Sequence, residues 1–151
     1  MDKLIATQKN IRKHYLNFLE NLSLKELSTI PKGFNNNIFW NIAHIVTTQQ
    51  LLCYYLSDLP MKIDGFWVDH FKKGTTPTII IEKEHLAQIK EKLINQPNEF
   101  LADYTDGHFV NYKTYETSFG ITLNSIEDAA RFNNIHESIH LGYIMAMKKL
   151  V

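Results

Sequence analysis

The stretch from Asn37 to Ser57 reads NIFWNIAHIVTTQQLLCYYLS, and no Asp, Glu, Lys or Arg occurs between Gly33 and its end. Ile38, Ile42, Ile45, Leu52, Leu56 and Leu59 make one apolar stripe at helical spacing, interrupted by Gln49. At 100° per residue, Trp40, His44, Leu51 and Tyr55 make a second stripe. A helix apolar on two sides is surrounded by protein, so this segment is the central helix of a packed bundle and His44 points inward. Its polar content (Asn41, His44, Thr47, Thr48, Gln49, Gln50) is too high for a membrane span.

The helices on either side follow the same logic. Asp2 is a candidate cap for a first helix to about Leu22, with Leu4, Gln8, Ile11, Tyr15, Phe18 and Leu22 as its buried stripe. Ser23 and Glu26 have capping-box spacing. Pro31, Gly33 and Asn35 to Asn37 break the chain before the central helix. A third helix is expected over about Thr78–Asn95, with Ile79, Leu86, Ile89 and Leu93 inward, Glu82, Lys83, Lys90, Glu91 and Lys92 outward, and His85 solvated. The last helix is expected to start at Asn124, with Glu127 as capping-box partner, and to reach about Lys149. In it Phe132, Ile135, Ile139, Gly142, Ala146 and Leu150 repeat at coiled-coil spacing. Residues 58–77 read as a long irregular connection whose Phe66, Trp67, His70 and Phe71 suggest a flap. Tyr104 to Leu123, with a turn signal at Asp106-Gly107, reads as a small hairpin or an extended crossover. The expected fold is an all-α four-helix bundle, one domain over residues 1–151, with at least one long crossover.

Composition narrows the function classes. Sixteen basic and sixteen acidic residues cancel, so no net field draws the chain to nucleic acid or anionic lipid. Cys53 is the only cysteine, so no intrachain disulfide is expected. The N-terminal MDKLIATQKNIRKHY is charged and amphipathic, without an apolar signal core, and a cytoplasmic location is expected.

Among the seven histidines, His136 and His140 are four residues apart and share one helix face. The run His136-Glu137-Ser138-Ile139-His140 matches the H-E-x-x-H pattern of zinc proteases. Those enzymes take a third ligand downstream, whereas the following LGYIMAMKKLV offers no His, Asp, Glu or Cys, so a protease is not expected. Glu137 points about 100° from His136 and reads as a surface or salt-bridging residue rather than a base. A third ligand then comes from upstream. His44 is the best candidate, because Cys53 lies about 180° around the same helix and His14, His70, His85 and His108 sit among charged or loop residues. Asn41 and Asn133, each three residues before a histidine, could orient these imidazoles, or satisfy them as ordinary core histidines without metal.

The runs FNNNIFWNIAHIV (residues 34–46) and ARFNNIHESIHLGYIMAMKKL (residues 130–150) resemble the second and last helices of DinB/YfiT-like four-helix proteins. LSLKELSTIP resembles their linker between the first two helices. The resemblance implies an up-down-down-up bundle in which one histidine of the second helix and two of the last, here His44, His136 and His140, hold a divalent metal, often zinc or nickel. It also implies small-molecule chemistry, since some relatives transfer low-molecular-weight thiols such as bacillithiol or isomerise with mycothiol. The expected function is a metal-dependent enzyme, a thiol S-transferase, with Trp40 and Trp67 in its pocket and Phe66, Trp67 and Phe71 above the site. The alternative is a non-catalytic bundle with a structural or vestigial metal, acting as a homodimer or through another partner.

Overall fold

The computed structural model describes residues 1–151. Six helices and one small hairpin follow in order: α1 (Asp2–Asn21), α2 (Leu24–Ser28), α3 (Ile38–Gln49), α4 (Gly65–Phe71), α5 (Lys83–Thr105), β1 (Tyr115–Glu116), β2 (Thr122–Leu123) and α6 (Ile126–Met147). The four long helices α1, α3, α5 and α6 form the bundle. Parallel α1 and α6 touch from Leu4–Asn134 to Phe18–Lys148. Helix α3 runs against α6, since Asn41 meets Met147 while His44 meets His136. Helix α5 runs with α3, joined by Gln96 Nε2 to the Val46 carbonyl and by Tyr54 to Asp103. The order is therefore up-down-down-up. No helix is long and apolar enough to cross a membrane.

Local chemistry accounts for the helix starts. Asn37 accepts from Trp40 N at 2.7 Å to begin α3, and Ser23 and Glu26 form a reciprocal capping box on α2. Helix α6 is capped by Ser125, whose hydroxyl accepts from Asp128 N; Glu127, expected as the capping-box partner, instead accepts from Tyr104 across to α5. Helix α1 starts at Asp2 with Met1 before it and no side-chain cap.

Several expectations are corrected. The buried face of α1 is Ile5, Gln8, Arg12, Tyr15, Phe18 and Leu19, a stripe turned to admit Arg12. The segment expected to be α-helical to Ser57 leaves α geometry at Gln50, continuing as a π turn (Gln50–Tyr54) and a 3-10 turn (Tyr55–Ser57) that Asp58 ends with a positive φ of 56°. The connection after it contains α4, whose Trp67 and Phe71 are core residues rather than a flap. Helix α5 starts later and runs ten residues beyond Asn95 to Thr105, with Pro97 inside it. Pro97 is buried against the bundle, and that packing outweighs the hydrogen bond proline removes. Gly107 (φ 76°) follows the end of α5, so the Asp106-Gly107 signal closes a helix. The hairpin lies further on and turns at Gly120 (φ 70°). On α6 the inward face is Asn133, Glu137, Ile144 and Met147, while Ile135, Ile139 and Leu150 are exposed.

Candidate metal centre

Two helices bring the histidines together. His44 descends from α3, and His136 and His140 face it from α6, with one potential ligand atom of each within 4.8 Å of the others. The ring centroids of His44 lie 5.1 Å from His136 and 4.9 Å from His140. Three histidines are thus positioned to bind one metal ion.

Hydrogen bonds decide which nitrogens are available. His44 Nδ1 donates to the Phe71 carbonyl at 2.6 Å, leaving Nε2 as the lone-pair nitrogen, 3.3 Å from Thr48 Oγ1. Asn41 Nδ2 donates to the Asn37 carbonyl, which orients its Oδ1 to accept from His140 Nδ1 at 2.8 Å. His140 Nε2 then carries a lone pair and lies 3.2 Å from His136 Nε2. Two nitrogens bound tetrahedrally at 2.0–2.1 Å stand about 3.3 Å apart, so this pair already has the spacing of co-ligands. The donor set fits a divalent ion such as zinc or nickel. Trp40 stacks on His44 with ring centroids 4.7 Å apart and planes 10° from parallel, fixing the ring from its other side.

Electrostatics favour the neutral, ligating form. Burial lowers the His44 pKa, the Phe71 carbonyl opposing it in part. Burial, then the neighbouring histidines, brings His136 down to about 2. Burial and His44 bring His140 down to about 3. Neutral imidazoles are what a metal requires.

The expected supporting residues divide. Asn41 serves an imidazole, but that of His140 on the facing helix rather than of His44 on its own. Asn133 Nδ2 donates to Glu137 at 2.9 Å, and its buried Oδ1 and the buried His136 Nδ1 have no hydrogen-bond partner. These two atoms lie three residues apart on one helix. Trp67 is fully buried in the core beside Phe71 and is no part of the cavity; Phe71 serves the site only through its backbone carbonyl. His70 instead packs at a tilt against Phe66 and His85 stacks on it, His85 Nδ1 accepting from Glu82 N to cap α5.

Glu137 is wholly buried and ion-paired with Arg12 at 2.8 Å. Its carboxylate also accepts from Gln8 and Asn133, while Arg12 donates to Gln49 and Gln96. This network explains the polar residues inside α1, α3, α5 and α6, and it occupies the carboxylate that a protease would use as base.

A cavity of about 250 Å³ adjoins the histidines, with His44 and His136 in its wall. Leu51, Leu52, Tyr55 and Leu56 continue that wall along the end of α3 and the turns after it, and the hairpin closes it with Tyr115 and Phe119. Neither Trp40 nor Trp67 lines it, contrary to expectation. The hairpin's role was hidden because two-residue strands carry almost no period.

No curated protein matches the chain. The family model described as the DinB superfamily matches residues 9–144, which include all four bundle helices in whole or large part and all three histidines. The chain therefore belongs to the DinB superfamily.

Proposed function

We propose that the protein is a metal-dependent enzyme that joins a small thiol, of the bacillithiol type, to an electrophilic substrate. The observation that carries this reading is that three imidazoles converge, two of them in the wall of a cavity, and no fourth protein donor joins them. Structural zinc sites are closed by four protein ligands, whereas catalytic sites keep a position open. Held by His44 Nε2, His136 and His140 Nε2, a divalent ion would supply the positive charge that favours thiolate over thiol.

The chain's own residues do the positioning. The Phe71 carbonyl and Asn41 hold His44 and His140 in the tautomers that present Nε2. Asn133 Oδ1 is the acceptor we assign to His136 Nδ1 once His136 Nε2 no longer needs its proton. The Thr48 hydroxyl, beside His44 Nε2, can hydrogen-bond an incoming group. The apolar cavity wall excludes water from the reacting partners.

The test is conjugation of bacillithiol, glutathione and a simple thiol to one electrophile by protein loaded with zinc or nickel. The expected result is a metal-dependent rate with at least one thiol that His140→Ala removes. Stoichiometric metal binding with no rate for any thiol would reject transferase activity and favour the non-catalytic bundle.

A further inference from the structure

The cavity beside the histidines is lined mostly by hydrophobic side chains, with Thr48, Thr117 and Ser118 among them, and by one charged residue, Lys73. No carboxylate shares that lining. Lys73 makes no ion pair, in contrast to its neighbour Lys72, which pairs with Asp69. Its backbone is held between two anchors. On one side the Phe71 carbonyl accepts from His44 Nδ1, and on the other Thr75 Oγ1 accepts from Trp40 Nε1 at 3.1 Å. The loop carrying the ammonium is thus tied to α3 at both ends. Tyr55 and Phe119 line the cavity while 58% and 59% exposed, so they stand at its rim with apolar faces open to a ligand.

We infer that this cavity binds a compact apolar monoanion, its hydrocarbon body against Leu52, Tyr55 and Phe119 and its anionic group at the Lys73 ammonium. The chain carries no net charge, so selection by charge here is local rather than a property of the whole surface. A volume of about 250 Å³ is enough for a short alkyl chain or one aromatic ring, and a larger molecule would extend past the exposed rim at Tyr55 and Phe119. As a substrate class this rests on the metal-enzyme reading, because only that reading makes the cavity an active-site pocket; the binding itself does not.

The experiment uses the full chain and three probes of equal length, octanoate, 1-octanol and octylamine, titrated calorimetrically with zinc bound and after chelation. Octanoate should bind about two- to fivefold more tightly than octanol, as expected for one partly screened charge contact, with octylamine weakest. Lys73→Glu, at an exposed position, should invert the order of octanoate and octylamine and leave octanol unchanged. Leu51→Trp, which fills the cavity, should abolish binding of all three. Equal binding of the three probes, or an order that Lys73→Glu does not change, overturns the inference. So does octanoate binding that vanishes with the zinc, since the carboxylate would then sit on the metal.

His140 is absent from the cavity wall, so His140→Ala separates the two readings. Loss of metal with octanoate binding retained is the expected result. Failure of wild-type protein to hold metal, with octanoate still bound, would reject only the metal enzyme. Stoichiometric metal without octanoate binding would reject only the present inference.

Discussion

Asn41 on α3 accepts a hydrogen bond from His140 Nδ1 on α6 at 2.8 Å, so a helix that supplies one imidazole also orients an imidazole of its partner. The Asn41 amide cannot simply turn over, because its Nδ2 is engaged by the Asn37 carbonyl at 2.8 Å. Asn41→Ala should leave a buried imidazole N–H without an acceptor and lower metal affinity about 10–100-fold, the usual effect of removing a ligand's outer partner. Competition with a chelator of known affinity measures this. An affinity unchanged within about twofold, well short of that range, would deny Asn41 its orienting role.

The second prediction concerns stoichiometry. Three converging nitrogens should hold one divalent ion per chain. Replacing His44, His136 or His140 by Ala should abolish it, whereas His85→Ala should not, since His85 caps α5 and stacks on Phe66. Elemental analysis of protein purified without affinity nickel decides this, and full retention by His44→Ala would remove α3 from the site.

The sequence showed the three histidines more clearly than their surroundings. His44 was legible because it interrupts an uncharged segment with two apolar faces. His136 and His140 were legible because four residues return a helix to one face. What was not legible depends on contacts far apart in the chain. Arg12 is absent from the apolar stripe of the first helix, and only its ion pair with a residue 125 positions away takes it inside. Asn41 was assigned to the nearest histidine, whereas its side chain reaches His140 on the facing helix. The α6 seam was read from Ile135 and Ile139, but the Arg12–Glu137 network turns the polar Asn133–Glu137 face inward and leaves both isoleucines exposed. Helix α5 continues through Pro97, and residues 65–71 form the short α4, because tertiary packing overrides local propensity.

The third prediction is pH dependence in the metal-free protein. All three site histidines have folded-state pKa values below the unfolded value near 6.5, His136 at about 2 and His140 at about 3. Below pH 6.5 the unfolded chain takes up protons that the folded one refuses. Stability is therefore full above that value and falls as pH drops toward the folded values, by at most about 1.4 kcal/mol per pH unit for each histidine. Urea unfolding at pH 7.5, 6.5 and 5.5 should show the decline, and His136→Leu should make it shallower. A stability constant between pH 7.5 and 5.5 would contradict the burial of neutral imidazoles.

The last prediction concerns the Arg12–Glu137 pair, which adjoins His136 in sequence and locks α6 against α1, α3 and α5. Both side chains are almost completely buried, at 1% and 0% exposure. Removing one partner strands a charge in the core, so Glu137→Ala or Arg12→Ala should cost about 3–5 kcal/mol. Removing both charges while keeping volume, as in Arg12→Met with Glu137→Leu, should restore part of that loss, because two desolvation penalties disappear together. The double variant still strands the Gln8 and Asn133 amides that donate to Glu137 and the Gln49 and Gln96 oxygens that accept from Arg12, at about 1–3 kcal/mol for each group left unpaired, so recovery should be partial. If the pair also sets the rotation of α6, the double variant should fold yet bind metal more weakly, since the buried ion pair no longer holds the face on which His136 and His140 stand. Denaturant midpoints and metal affinity measured on the same preparations separate these effects. A double variant as unstable as either single one would show that the pair acts through hydrogen-bond geometry rather than charge. Normal metal affinity in a folded double variant would show that the pair does not set the rotation of α6.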